Sequence, residues 1–392
     1  MTATAATGLA CEVSYRDVID GLKATALALS TTRDATRHVE LLAIDDTLVI
    51  TATVPDQAEI RVRIPAAGIE PGVLLVAHAQ LQALLTAATK GSSKRDLDTA
   101  TVRIVDTAGD DDTLNVELSG YQLPIAVTRD VSSYPQGPAM PDPTVVVDRA
   151  AFTAMFTRVQ PAAGTDTYLP LLTGVQLHAE PNRVVLIATD RYRISRGHID
   201  TPTTNADHAS VLPGALTGKL LKLLDGDQLH IGTAEHNGRT WTTIAADTIT
   251  AHLAAPTTGD YPRVAQLFDI KPDSTLTIDR ATLAAAATRT AAITKALASG
   301  SVGARIDVTA DTLTLTPGTD KGTAQAPAIP ITRDGNPEPW ASAANPTYLA
   351  AALTAFTTDT IEIHLGQPHK PFKFHDPDGT FEHVLMPMRL PN

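Results

Sequence analysis

Apolar and polar positions alternate along many short runs of this chain, including TLVITAT from Thr47, RVVLIAT from Arg183 and TLTLTP from Thr312. A period of two with abundant Val, Ile and Thr predicts half-buried strands. Six other segments change period to that of a helix, over 15–30, 77–90, 149–160, 214–224, 280–297 and 346–356. Their starts carry helix chemistry. Ser14, Asp148 and Asp279 can accept hydrogen bonds from free first-turn amides, and Pro213 and Pro346 stand where a missing amide costs nothing.

These elements recur. VVVDRAAF from Val145 is echoed by LTIDRATL from Leu276, and SYRDVIDGLKATALAL from Ser14 is a looser first copy. Second helices begin near Val76, Leu212 and Ala344. Tyr134-Pro135, Tyr261-Pro262 and Met386-Pro387 close the copies at spacings of 127 and 125 residues. Landmarks at one common offset predict tandem copies of a single α+β unit. The expected domains are 1–138, 139–270 and 271–392.

Composition narrows the class. The 392 residues carry 31 Lys+Arg against 43 Asp+Glu, a net charge of −12, which argues against a surface coated in nucleic acid or anionic lipid. With 43% hydrophobic residues and no apolar run of bilayer length, the chain reads as ordered and not membrane-spanning. One Cys excludes a disulfide framework and a Cys-based zinc site. The first residues, MTATAATGLACEV, lack the basic and apolar regions of a secretory signal, so a cytoplasmic protein is expected.

Motifs that invite enzyme chemistry fall short. GALTGKL from Gly214 is one residue short of a phosphate loop, with Leu220 where a magnesium-binding hydroxyl belongs, and reads as helix. His364, His369, His375 and His383 are expected on separate strands and turns, exposed, with no metal. Asp376 and Asp378 before Gly379 lack the remaining ligands of a calcium loop and read as a turn. No GxSxG elbow is present. No catalytic residue, cofactor or metal is expected. Two segments do stand out. ATDRYRIS from Ala188 sets two arginines around Tyr192 after an apolar strand, and HVLMPMRLPN from His383 sets flexible thioethers around a rigid proline. Such thioethers suit an adaptable apolar groove for short peptides.

On these segments the chain resembles the β sliding clamps of bacterial DNA polymerase III. LPLLTGVQLHAE followed by RVVLIATDRYRIS is similar to the family's middle-domain signature, and GDYPRVAQLF to the segment that follows it. TRTAAITKAL and ANPTYLAAAL match the third-domain helices, and LMPMRL the terminal motif. The resemblance implies three tandem copies of the DNA-clamp domain, two helices packed on sheets in each. It also implies a head-to-tail homodimeric ring, sliding on duplex DNA and tethering polymerase and clamp loader through short peptides. The implied peptide groove matches Leu172, Thr189, Tyr192, Arg193, Ile194, Pro262 and Leu267, with Asn345, Tyr348, Met386, Pro387, Met388, Arg389 and Leu390 from the third copy. Its apolar members would bury a Leu or Phe of the partner, and the terminal segment's backbone would pair with it. Departures are Arg191 where a small residue is common, Thr294 at the implied subunit interface, the added Pro391-Asn392, and a drifted first copy.

The resemblance also reinterprets the charge. The six predicted helices hold ten basic residues and two acidic ones, so the excess acid lies elsewhere. Basic helices lining a hole would touch phosphates loosely and without sequence preference. The expected channel residues are Lys23, Lys90, Lys94, Arg95, Arg149, Arg158, Lys219, Lys222, Arg280, Arg289 and Lys295. Two alternatives remain open at this point. One is a divergent paralogue with a specialised role; the other is a hydrolase using Asp190 or the C-terminal histidines.

Overall fold

A computed structural model describes residues 8–31, 37–106, 112–202, 208–257, 259–269, 271–297, 302–319 and 324–389. Its helices are α1 (Tyr15–Leu29), α2 (His78–Ala88), α3 (Lys94–Thr99), α4 (Arg149–Val159), α5 (Gly214–Leu220), α6 (Arg280–Leu297) and α7 (Pro346–Thr354). Six correspond to the predicted segments, with α5 and α7 ending short of the expected 224 and 356. The unpredicted α3 is held by a capping box: Ser93 Oγ accepts from the Asp96 amide and the Asp96 carboxylate accepts from the Ser93 amide. The Ser-x-x-Asp signature was present, but six residues are too few for a period to register.

The chain divides into two compact units, Met1–Arg149 with Leu216–Thr258, and Ala150–Ala215 with Gly259–Asn392. The first is built on a twelve-stranded antiparallel sheet. Its core runs His38–Ile44, Thr47–Val54 and Ala58–Glu70, and the sheet continues through Ile249–Ala254, Arg239–Ala245 and Gln228–His236. The strand Thr47–Val54 is buried along its whole length, Thr47, Thr51 and Thr53 included, so the half-buried strand expected from TLVITAT is corrected: both of its faces are covered. Helix α1 packs against this sheet through Val18, Leu22 and Ala28, all essentially inaccessible. Burying each such Val or Leu side chain contributes about 1.5–3 kcal/mol.

In the second unit, a nine-stranded sheet places Gly174–Glu180, Arg183–Thr189 and Arg193–Asp200 beside Phe381–Leu385, Phe372–His375, Thr360–Leu365 and Ser274–Asp279. Arg193–Asp200 pairs with Phe381–Leu385 in the register Arg193↔Leu385 to Gly197↔Phe381, joining segments almost 190 residues apart. A smaller four-stranded sheet carries Ile306, Val308, Leu313, Leu315 and Trp340. They meet Leu276, Ile363, Leu365, Phe372 and Phe374 of the large sheet, with Leu283 and Leu349 from α6 and α7 completing this core.

The copies repeat in their bonding as well as their pattern. The first amides of α1, α4 and α6 donate to carbonyls far along the chain: Tyr15 to Ala100 (2.9 Å), Arg149 to Asp227 (2.8 Å) and Arg280 to Asp359 (2.9 Å). In the later two the same residue adds its guanidinium, Arg149 Nε to Gly226 O (2.5 Å) and Arg280 Nε to Thr358 O (2.7 Å). Among the described residues, no helix is long and apolar enough to cross a membrane.

Candidate peptide groove and helix cations

The ATDRYRIS segment is a tight connection between Arg183–Thr189 and Arg193–Asp200 in the second unit. Asp190 Oδ1 accepts from the amides of Tyr192 (3.0 Å) and Arg193 (3.1 Å), and Arg193 Nε donates to Asp190 Oδ2 at 2.9 Å. Thr189 Oγ1 donates to Arg193 O (2.8 Å) and accepts from the Arg191 amide (3.2 Å). Arg191 itself sits at φ 82°, the left-handed region that favours glycine. In that conformation any side chain other than glycine carries a steric cost.

Two other segments lock onto this turn. Tyr261 donates its hydroxyl to Gly174 O (3.4 Å) and accepts from the Thr189 amide (3.1 Å). Its ring joins Ile194, Val185, Ile187, Val211, Phe268 and Val384 in one buried cluster, with Leu171 and Val264 packed against it. Burial pushes the Tyr261 hydroxyl up to about 12. From the C-terminal side, the Met386 amide donates to Tyr192 O (2.9 Å) and the Met388 amide to Ala343 O (2.7 Å). Two donors of the terminal segment are therefore committed within the chain. The expectation that its backbone would pair with a peptide is corrected at those positions.

Beside the turn lies a depression of about 240 Å³, lined by Gly164, Thr165, Asp166, Leu169, Leu172, Asp190–Arg193 and Tyr348. Tyr192 and Tyr348 face each other with ring centroids 6.5 Å apart, and the Arg193 guanidinium lies 4.2 Å from the Tyr348 centroid. Such a cation over a ring contributes about 0.5–2 kcal/mol and orients the ring. Burial raises the Tyr348 hydroxyl above its ordinary range. Tyr192, Leu267 and Met386 remain exposed, at 54%, 36% and 36%.

The expected groove residues therefore divide by role. Leu172, Thr189 and Ile194 are buried support, whereas Tyr192, Pro262, Leu267, Met386 and Arg389 are exposed. Asn345 caps α7, its Oδ1 accepting from the Thr347 (3.0 Å) and Tyr348 (3.3 Å) amides, and so aims Tyr348. Arg193, Tyr348, Pro387 and Met388 are partly exposed. Leu390, with Pro391 and Asn392, lies outside the described residues. The sequence reading missed Asp166, Leu169 and the anchoring Tyr261. The Tyr-Pro pair was visible as a repeat landmark, yet only Pro262 was carried into the site.

Of the helix cations, Lys23, Lys90, Lys94, Arg95, Lys219, Lys222, Arg289 and Lys295 are exposed. The other three are corrections. Arg149 and Arg280 are only partly exposed and direct their guanidinium groups at backbone carbonyls, as described above. Arg158 donates to Ala355 O at 2.7 Å, pairs with the buried carboxylate of Asp376 and lies over the Phe381 ring. A guanidinium committed to a buried carboxylate, 14% exposed, is poorly placed to take a phosphate.

The histidine expectation also changes. His383 is 2% exposed, its Nδ1 2.8 Å from Ser195 Oγ, and burial beside Arg193 pushes it down to about 3. His364 and His375, expected apart, are brought together with Glu362 by the pairing of Thr360–Leu365 with Phe372–His375. The Asp376–Gly379 segment is a turn as expected, closed by Gly379 N to Asp376 O at 2.9 Å. GALTGKL forms α5, not a phosphate loop.

Family models described as the central and C-terminal domains of the DNA polymerase III beta subunit match residues 146–262 and 265–389. The beta sliding clamp of Micrococcus luteus is 28% identical over 238 residues, covering 56% of this chain and 72% of that protein. That of Streptomyces coelicolor is 27% identical over 276 residues, 67% and 71% of the two chains. The solved DNA polymerase sliding clamp of Bacillus subtilis superposes with a TM-score of 0.84 at 17% identity, covering 98% of this chain and all of that one. The DNA polymerase III subunit beta of Pseudomonas aeruginosa gives 0.83 at 18%, over 97% and 100%. At such identities the structural likeness speaks to the fold, which is the clamp fold of helices on sheets. The two matched domains together span well over half of the sequence, and the chain belongs to the DNA polymerase III beta subunit family, the non-catalytic beta sliding clamps.

Proposed function

We propose that this clamp recruits its partners through the second-unit surface around Tyr192, Leu267, Tyr348 and Met386. The observation that carries the reading is that two segments far away in sequence are tied to one turn, the Thr189 amide donating to the Tyr261 hydroxyl and the Met386 amide to Tyr192 O. A tied turn with exposed apolar tips offers a preorganised seat for a Leu or Phe of a partner's short peptide. Replicative polymerase and clamp loader are the partners that the family implies.

The DNA side of the function rests on topology. Two protomers joined head to tail, each holding three clamp domains over 1–138, 139–270 and 271–392, would close a ring in the cytoplasm. Its helices, and the turns that follow α2 and α5, would face duplex DNA through Lys23, Lys90, Lys94, Arg95, Lys219, Lys222, Arg289 and Lys295. Contacts of this kind are salt-sensitive and blind to sequence, as sliding requires. Loading on nicked circular DNA followed by linearisation tests the ring: the protein falls off a free end. Retention on the linear product would refute it.

A second reading, a specialised clamp paralogue, is favoured by Arg191, which holds a glycine-like conformation at the groove. In that case the ring would still slide, while the polymerase peptide would bind no better than a scrambled one.

A further inference from the structure

We propose that Glu362, His364 and His375 form a binding site for a divalent transition metal of the zinc class. The site lies on the large sheet of the second unit. Glu362 and His364 are two residues apart on Thr360–Leu365 and share a face. Glu362 is directly opposite His375 on the neighbouring strand, so the register sets all three side chains on the same side. His375 Nε2 is 3.1 Å and His364 Nε2 3.6 Å from Glu362 Oε2, and one ligand atom from each residue lies within 4.8 Å of the others. Donors bonded to one tetrahedral zinc at about 2.0–2.1 Å are separated by roughly 3.3 Å, between the two distances from the ring nitrogens to Glu362 Oε2.

The chemistry of the set agrees. Two imidazoles and one carboxylate are the borderline donors that zinc-class ions prefer over calcium or magnesium. Three protein ligands leave a fourth position for water. The rings are 5.0 Å apart at 70°, so they converge rather than stack. Both Nδ1 atoms are buried without a partner. Without an ion each Nε2–H faces the Glu362 carboxylate, so metal binding moves both protons to the buried, unpartnered Nδ1 atoms, a cost that weakens the site. The Lys373 ammonium is engaged by Glu382 at 3.0 Å, but Glu382 also takes the Arg196 guanidinium, so one carboxylate between two cations leaves positive charge near the site that opposes a bound ion. The lack of acceptors for the outer ring nitrogens lowers the expected affinity by roughly ten- to hundredfold relative to a site that has them. A bound ion would clasp the two strands on either side of the 366–371 connection.

The test uses the full chain, stripped with chelator and titrated with Co²⁺ as a spectroscopic probe, then with Zn²⁺ in competition. About one equivalent should enter a low-symmetry nitrogen-ligated site and be displaced by zinc. His364→Gln and His375→Gln should each weaken zinc by at least roughly ten- to hundredfold, with helix and strand content unchanged by circular dichroism. His369→Gln, in the same hairpin but outside the cluster, should bind as the parent does. Uptake well below one equivalent, or equal affinity in the parent and both ligand variants, would overturn the proposal. So would loss of binding in His369→Gln alone, since it places the ion elsewhere.

Discussion

The two units build the same joint and finish it differently. In the first, the Tyr134 hydroxyl accepts from the Thr53 amide (3.1 Å) and reaches the carbonyls of His38 (3.2 Å) and Thr51 (3.1 Å). In the second, Tyr261 meets the Thr189 amide and Gly174 O. Burial pushes both hydroxyls up to about 12. Beyond the shared tyrosine and threonine the two diverge. Thr53 Oγ1 donates to Glu59, which also accepts from the Gly137 amide (2.6 Å), pairs with Arg61 and lies 3.9 Å from His252 Nε2, so the first joint turns its polar chemistry inward. Thr189 instead closes a short turn that lifts Tyr192 into solvent beside Tyr348. The first unit does have a depression at its joint, lined by Arg37, His38, Pro55 and Tyr134 among others, but Tyr134 is the only aromatic residue there besides the His38 imidazole. The anchor is thus a folding device shared by both copies, and the residues after the threonine decide whether it becomes a docking surface.

The largest expected effect breaks that comparison at the tips. Replacing Leu267 and Met386 together with Ala should weaken a Leu- or Phe-bearing clamp-binding peptide at least about tenfold by fluorescence anisotropy. Pro55→Ala, on the exposed lip of the first joint, should leave the affinity unchanged. Equal losses would mean that the peptide does not distinguish the joints.

A smaller effect concerns acid. His252 in the first unit and His383 in the second are buried neutral and pushed down to about 4 and about 3. Below pH 6.5 the unfolded chain takes protons that the folded imidazoles refuse, so stability is present above 6.5 and is lost as pH falls. Each site loses up to about 1.4 kcal/mol per pH unit until its folded value is reached. Hydrogen exchange followed strand by strand should show both units loosening between pH 6.5 and 4. Below that, the histidine contribution continues to fall only in the second unit. His252→Gln should flatten the first unit's slope alone, and an unaltered slope would reject the assignment.

The smallest effect sharpens the turn itself. Arg191→Gly removes the cost of a left-handed arginine, about 1 kcal/mol, and gives back part of it through the freer unfolded chain. A modest rise in melting temperature is expected from calorimetry, with the peptide affinity within twofold of the parent. A fall in melting temperature would show that the Arg191 contact with the Tyr192 ring outweighs the strain.

Much of this was legible from the residues. Helix starts at Ser14, Asp279 and Pro346 follow from local hydrogen-bonding chemistry, and the strand runs from their alternation. The groove segments carried a motif. What could not be read was partnership across distance. No period reveals that Arg158 meets Asp376, or that Glu362 sits opposite His375, because strand register and helix docking are set by the whole core. Arg158 was therefore counted with the phosphate-facing cations when its guanidinium is occupied inside the second unit. The short α3 escaped for the opposite reason, being too brief for any periodicity despite its cap.

The pairing of Arg193–Asp200 with Phe381–Leu385 carries a consequence for synthesis. During translation the central strand leaves the ribosome long before its neighbour exists, and at about 5–20 residues per second it waits on the order of ten to forty seconds with one edge unpaired. An early stop at position 381 would remove residues 381–392, the neighbouring strand among them, and leave that edge open for good. Such a product should aggregate rather than persist as a shortened clamp, although nearly all of the fold's residues would be present.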